Sequence, residues 1–265
     1  PRRFARHDGD HGMTKLRLGM VGGGQGAFIG GVHRIAARID GAFDLVAGAL
    51  SSNPDRARAS AADLGLAADR SYGAWQDMLA GEAARADGIQ AVAIVTPNHM
   101  HAAPAAAFLA AGIHVICDKP LAATMDDALL LEAAATKSKA LFILTHNYTG
   151  YPMVRQARAM IAAGELGDIR LVQVEYAQGW LSEPIEQTGQ KQAAWRTDPA
   201  QAGGGAIGDI GTHAFNLMRF VSGLQVQEIA AEMSSMVAGR RVDDNVQVML
   251  RLQGGARGAL WASQV

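Results

Sequence analysis

The chain has a single cysteine, Cys117, among 265 residues, so no internal disulfide can form and the usage suits a reducing, cytoplasmic compartment. It has no apolar run long enough to span a membrane. Neither sign of charge is in excess. Twenty-four Lys and Arg face 25 Asp and Glu, interspersed, for a net charge of −1, which leaves no footprint for nucleic acid or an anionic membrane. Internal repeats are absent, and low complexity is confined to alanine-rich helical stretches. A twin arginine stands at Arg2-Arg3-Phe4, but only Arg6-His7-Asp8-Gly9-Asp10-His11-Gly12 follows, with no apolar segment, which argues against export. Met13 reads as the natural start, and the twelve residues before it as a disordered extension.

Lysine is scarce as well. Five lysines stand against nineteen arginines, and four of the five lie in polar or terminal stretches. Lys119 is the exception. It follows the apolar run His114-Val115-Ile116-Cys117 and precedes Pro120, at the carboxyl end of a buried strand, where an open α/β sheet binds its ligand. A desolvated lysine there can polarise a substrate oxygen. It could equally snorkel from a strand end into water.

Two glycine-rich segments are present. Leu16–Val21 reads as a strand that runs into Gly22-Gly23-Gly24-Gln25-Gly26-Ala27-Phe28-Ile29, followed by a helix with Ile29, Val32, Ile35, Ala36 and Ile39 on one face. Strand, glycine turn and helix form the context of a dinucleotide fingerprint, and Gly22, Gly24 and Ala27 fit its G-x-G-x-x-G/A register. Glycines let the backbone approach a pyrophosphate, and the helix amino terminus favours its charge. The second segment, Gly203-Gly204-Gly205-Ala206-Ile207-Gly208-Asp209-Ile210-Gly211-Thr212-His213, opens an apolar helix. Asp209 and His213 are four apart, so the carboxylate can orient the imidazole and raise its basicity. The alternative is an ordinary helix start with Asp209 near the cap and His213 packed.

The first part of the chain alternates strands (Leu16–Val21, Phe43–Leu50, Ala91–Val95, His114–Cys117, Leu141–Thr145) with helices (Ile29–Ile39, Pro54–Leu64, Ala74–Ala84, Met100–Ala111, Met125–Lys137), which predicts a doubly wound parallel Rossmann sheet over 14–150. Residues 151–265 predict an α+β domain with an open-faced mixed sheet. It comprises a helix over Met153–Ala163, a strand over Ile169–Gln178, an aperiodic loop over Gly179–Gly205, a helix over Thr212–Val221, and strands over Glu228–Val237, Asn245–Leu252 and Ala256–Val265. The last strand pattern carries no closing turn. It reads as that of a truncated chain, with an unpaired, self-associating sheet edge near Ala256–Val265. Met and Phe in the helices are assigned to the core, as is the small Cys117.

Four motifs in order make the chain resemble the Gfo/Idh/MocA oxidoreductases over nearly all of residues 14–265. They are the turn Gly22–Gly26, Thr96-Pro97-Asn98-His99 after a strand, Asp118-Lys119-Pro120, and Gly208-Asp209-Ile210-Gly211-Thr212-His213. The family usually has Glu where Asp118 stands. The resemblance implies an NAD(P)-dependent oxidoreductase acting on a secondary alcohol of a sugar or polyol, with Lys119, Asp209 and His213 catalytic. His213 would take the hydroxyl proton, Asp209 would orient its ring, and Lys119 would stabilise the alkoxide beside the nicotinamide. The implied cofactor set is Gly22, Gly24, Gln25, Gly26, Ala27, Phe28, Ile29, Thr96, Pro97, Asn98, His101, Asp118 and Lys119. Tyr148, Trp195 and Arg196 are substrate candidates or ordinary packing and surface residues. No acid ends the second strand, and Ser51 with Arg56 suits a 2′-phosphate, leaning to NADP over NAD, although Ser51–Asn53 also reads as a helix cap. No metal is called for. The resemblance also implies homo-oligomers of a longer chain, assembled through the open sheet face. Two other readings stay open: an NAD-dependent glycoside hydrolase on the same scaffold, and a non-catalytic nucleotide-binding protein. A tight turn after the fourth strand suggests a cis Lys119–Pro120 bond.

Overall fold

The computed structural model describes residues 14–265; the expectation for the first twelve residues lies outside the described residues. The elements run β1 (Leu16–Gly22), α1 (Phe28–Ile39), β2 (Phe43–Ala49), α2 (Pro54–Asp63), α3 (Trp75–Ala83), β3 (Ala91–Val95), α4 (Ala102–Ala110), β4 (His114–Asp118), α5 (Met125–Lys137) and β5 (Phe142–Thr145). They continue with α6 (Pro152–Ala162), β6 (Leu171–Ala177), α7 (Lys191–Arg196), α8 (Pro199–Ala202), α9 (Thr212–Ser222), β7 (Val226–Ser234), β8 (Asn245–Leu252) and β9 (Arg257–Ser263). The first sheet has the order β2-β1-β3-β4-β5, a parallel Rossmann sheet. Val92, Ala93 and Ile94 of β3 are fully buried, as a strand covered on both faces requires.

By contacts the chain forms two compact units, one ending at Val95 and the other running from Thr96 to Val265. In the second unit, Asn98 Nδ2 donates to Ala202 O (2.8 Å) and Lys119 reaches Asp209, which ties residues 96–123 to the segment around 202–211.

The second sheet has the order β6-β9-β8-β7 and is mixed: β9 runs parallel to β6 and antiparallel to β8. One face packs on α9 through Val174, Ile210, Ala214, Met218, Val246, Leu250 and Leu260, and the other is open, with Glu175, Gln247 and Met249 exposed. The expected unpaired edge at Ala256–Val265 is therefore overturned. β9 is interior because its alternating small and apolar residues fit between two neighbours, and the edges are β6 and β7.

Two further expectations need correcting. The loop 179–205 carries a 3₁₀ turn at Ile185–Thr188 and the short helices α7 and α8, each too brief to show a period. Gln190 caps the first at Ala193 N and Asp198 caps the second at Ala200 N. Phe108, Met78 and Met218 are core, but Phe28, Met125 and Met153 are exposed. All three stand at the first or second residue of α1, α5 and α6.

Arg240 anchors the 179–190 segment from within. Its guanidinium is fully buried and donates to Leu181 O (2.7 Å), Glu183 O (3.2 Å), Glu186 and Asp244, which also takes the amides of Met236 and Val237. Removing one member of a buried ion pair strands the other charge. Arg240→Met should cost about 3–5 kcal/mol in denaturant unfolding. A loss below about 1 kcal/mol would mean that water reaches and solvates Asp244.

Candidate active site

In the first unit, β1 ends in a turn where Gly22, Gly23 and Gly26 take positive φ (80, 76 and 75°). A Cβ on Gly24 would lie 2.6 Å from Leu50 O and 2.7 Å from Ser60 Oγ, and one on Gly30 would lie 2.4 Å from Gly23 Cα. The turn thus packs bare backbone onto the end of β2 and the start of α1. Gly23 and Gly30 are requirements that the expected register missed. No side chain caps α1. Its first amides are open to an anion, which fits a pyrophosphate. Gln25 N donates to Ser60 Oγ (2.9 Å) and its side chain to Asp63 (2.7 Å), so Gln25 braces the turn. Phe28 and Ile29 begin α1. Ser51 Oγ accepts from Asn53 N (3.1 Å), Asn53 caps α2 at Arg56 N (3.0 Å), and Arg56 is exposed.

In the second unit, Lys119 emerges directly after β4, and the Lys119–Pro120 peptide is cis. Its Nζ donates to Asp209 Oδ1 (2.8 Å) and Asp209 O (2.7 Å). An ammonium has three donors, so one remains. Asp209 sits in a π-helical turn, Ile207–Gly211, that leads into α9. Asp243 holds the start of this turn: its carboxylate accepts from Gly205 N (2.8 Å) and Ile207 N (2.7 Å). Its backbone lies so close that a Cβ on Gly205 would be 1.7 Å from Asp243 O. Asp209 Oδ2 accepts from Gln264 Nε2 (2.9 Å) and lies 3.4 Å from Arg196 Nε. Burial would raise the Asp209 carboxyl, but the charges of Lys119 and Arg196 and the hydrogen bonds from Lys119 and Gln264 outweigh it and hold it below the usual carboxylate range.

The hydrogen bonds to Asp209 therefore come from Lys119 and Gln264, whereas four-residue spacing had suggested His213. Both Asp209 carboxylate oxygens are already engaged, Oδ1 by Lys119 and Oδ2 by Gln264 with Arg196 beside it. His213 Nδ1 is buried without a hydrogen-bond partner. Packing holds the ring instead: Tyr148 at 4.8 Å, His146 at 5.8 Å and Tyr176 at 6.2 Å between centroids. Burial, then the positive charge of Lys119, lowers His213 to about 4, and Asp209 opposes the shift only in part. Burial and Lys119 lower His146 too.

The other expected residues take varied places. Asp118 Oδ1 accepts from Thr145 Oγ1 (2.9 Å). Thr96 Oγ1 donates to Met100 O (3.3 Å), with Pro97 opening the 3₁₀ turn at Asn98–Met100. His101 is fully buried, its ring nitrogens each 2.9 Å from a carbonyl, those of Pro120 and Thr96, so it clamps the two turns together. Arg196 stacks on Trp195 at 4.2 Å and joins Asp209, whereas Trp195 bonds Gln192 (3.4 Å). Tyr148 lies against His213. The sequence reading missed His146, Tyr176, Asp243 and Gln264. His146 had a usable signal, since it follows β5 as Lys119 follows β4.

Residues 16–146 match the oxidoreductase family, NAD-binding Rossmann fold, and residues 154–265 match the GFO/IDH/MocA C-terminal domain. The chain belongs to the Gfo/Idh/MocA oxidoreductase family. It is similar to an oxidoreductase from Sinorhizobium meliloti (54% identity, TM-score 0.85, 95% of this chain and 66% of that one). It is similar also to an inositol dehydrogenase homolog from Azotobacter vinelandii, solved with NADH and myo-inositol (39% identity, TM-score 0.87, 95% of this chain and 64% of that one). Among curated proteins it resembles the uncharacterized oxidoreductase YfiI of Bacillus subtilis strain 168 (37% identity over 94% of this chain). The chain spans 65% of the length of that relative.

The electrostatics of the site are directly testable. The folded value of His213 lies below its ordinary 6.5, so unfolding favours proton uptake; the stability this group contributes is full above about pH 6.5 and is lost as pH falls toward 4. In an NMR titration its ring should stay neutral at pH 6 and titrate near pH 4. Lys119→Met should move that midpoint upward. Titration near 6.5 in the unmodified protein would mean that the ring is solvated.

Proposed function

We propose that the protein oxidises a secondary hydroxyl of a sugar or polyol to a ketone, using a nicotinamide dinucleotide. The observation that carries this reading is the convergence of a part-buried Lys119–Asp209 pair, with one ammonium donor left, and a neutral histidine, His213, packed among tyrosines. The myo-inositol complex of the Azotobacter relative supports the substrate class. The bare glycine turn and uncapped α1 support the dinucleotide.

When bound, the nicotinamide supplies the hydride acceptor. His213 takes the hydroxyl proton through Nε2, the ring nitrogen that is left when Nδ1 is buried. Lys119 donates its remaining hydrogen to the same oxygen and stabilises the charge that builds there as the C–H bond breaks. Asp209 fixes the ammonium and offsets its field on His213. The clamp through His101 sets where the Lys119 turn lies. Ser51 and Arg56 read the ribose 2′-position, and the exposed guanidinium suits a 2′-phosphate, favouring NADP; the Azotobacter relative was solved with NADH.

Lys119→Met and His213→Gln should each lower kcat for polyol oxidation by roughly a hundredfold or more with dinucleotide affinity nearly unchanged. Full turnover in either variant rejects the assignment. Sugar release from an aryl glycoside with no net change in nicotinamide absorbance would point to the hydrolase instead. In calorimetric titrations Arg56→Ala should weaken NADP+ by about tenfold, the scale of one charge-assisted hydrogen bond, and leave NAD+ alone. Equal effects on both would remove Arg56 from the 2′-position.

A further inference from the structure

Gln264 lies immediately after β9 and is buried, 2% exposed, although it is polar. Its side-chain Nε2 donates to Asp209 Oδ2 (2.9 Å). A carboxylate only accepts, so the amide nitrogen is the end that must face it. Main-chain bonds fix where that side chain starts: Gln264 N donates to Asp244 O (2.8 Å), and Leu181 N donates to Gln264 O (3.1 Å). Arg240 holds both of those partners, donating to Leu181 O and to the Asp244 carboxylate. The neighbouring Asp243 reaches Asp209 by a second route. Its carboxylate takes the amides of Gly205 and Ile207 and its carbonyl that of Ala206 (2.8 Å), while Asp209 N donates to Gly205 O (2.9 Å). Residues 240–244 thus hold Asp209 twice, through its backbone and, by way of Gln264, through its carboxylate.

The torsion that turns an aspartate carboxylate about its Cβ–Cγ bond has broad preferences, so neighbours must set it. Lys119 depends on that setting, since its Nζ donates to Oδ1 as well as to Asp209 O. Arg196 Nε, 3.4 Å from Oδ2, adds charge, but its side chain is partly exposed and stacked on Trp195. We propose that Gln264 is a positioning residue: by occupying Oδ2 it fixes the rotation of the Asp209 carboxylate and thereby aims the remaining Lys119 hydrogen at the substrate oxygen. This rests on the oxidoreductase reading above. A neutral amide suits the task, because it locks the carboxylate without adding charge to a site that already holds Lys119, Arg196 and Asp209.

The test uses Gln264→Met, which removes the donor at similar volume, and Gln264→Glu, which keeps the shape and makes the donor depend on protonation. Gln264→Met should lower kcat on the polyol turned over fastest by roughly tenfold, the scale of one hydrogen bond to a charged group, with KM and dinucleotide affinity nearly unchanged. In Gln264→Glu, burial and the facing Asp209 push the new carboxyl above the ordinary glutamate value of about 4.3, while Lys119 and Arg196 pull the other way. Protonated, it donates to Oδ2; ionised, it repels Oδ2. The kcat of Gln264→Glu should therefore fall as pH rises above about 4.3, a limb that the unmodified protein lacks. Full kcat in Gln264→Met, or a Gln264→Glu profile parallel to that of the unmodified protein, overturns the proposal. If Gln264→Met does not fold, the Gln264→Glu profile decides alone. If the unmodified protein oxidises no polyol, the oxidoreductase reading fails separately, and a carboxyl-carbon NMR titration of Asp209 decides the positioning role. The bond from Gln264 helps to hold that carboxyl low, so its midpoint should rise in Gln264→Met, and an unchanged midpoint refutes the role.

Discussion

The ion pair between Lys119 and Asp209 is the interaction around which the second unit's chemistry is arranged. A lysine delivered by the end of a buried strand needs a counter-charge, and the π turn before α9 supplies one from 90 residues away through both its carboxylate and its carbonyl. The remaining carboxylate oxygen is taken by Gln264 and faced by Arg196, so Asp209 is a hub with three partners. The pair also sets the state of its neighbour. Lys119 pushes His213 toward neutrality while Asp209 pulls the other way, and burial tips the balance. A neutral imidazole beside a partly spent ammonium pairs a proton acceptor with a hydrogen-bond donor.

Around that pair, hydrogen bonding and packing divide the work. Main-chain groups place the polar residues: Asp243 gathers the amides of Gly205 and Ile207 to begin the π turn, and His101 spans the carbonyls of Thr96 and Pro120. Aromatic packing places His213, which has no orienting carboxylate on Nδ1 and sits among Tyr148, Tyr176 and His146. In the first unit the corresponding principle is steric. Where Gly24 and Gly30 stand, even a Cβ would collide with backbone, so the turn leaves its amides bare.

Much of the fold was legible because its signals are local. Apolar runs such as Ala91–Val95, the glycine turn after β1, and Lys119 at a strand end each depend on a few neighbouring residues, and the structure places them as expected. The failures share a different cause. α7 and α8 are shorter than the window in which a helical period can be seen. β9 seemed a sheet edge because a chain pattern says nothing of which strands will flank it. The Asp209–His213 pairing rested on local spacing, whereas Lys119 and Gln264, distant in the chain, take the two carboxylate oxygens.

By itself, then, the sequence determined the order of strands and helices, the nucleotide-type turn and the identity of the residues with chemistry to offer, since these follow from periodicity, backbone sterics and side-chain type. Only the tertiary structure decided their partners. Lys119 with Asp209, Tyr148 with Tyr176, Asn98 with Ala202 and Arg240 with the 181–186 segment are separated by 28 to 104 positions. Which buried donor meets which acceptor across such distances depends on how strands and helices stack, and that is settled by packing the whole core rather than by any local stretch of chain.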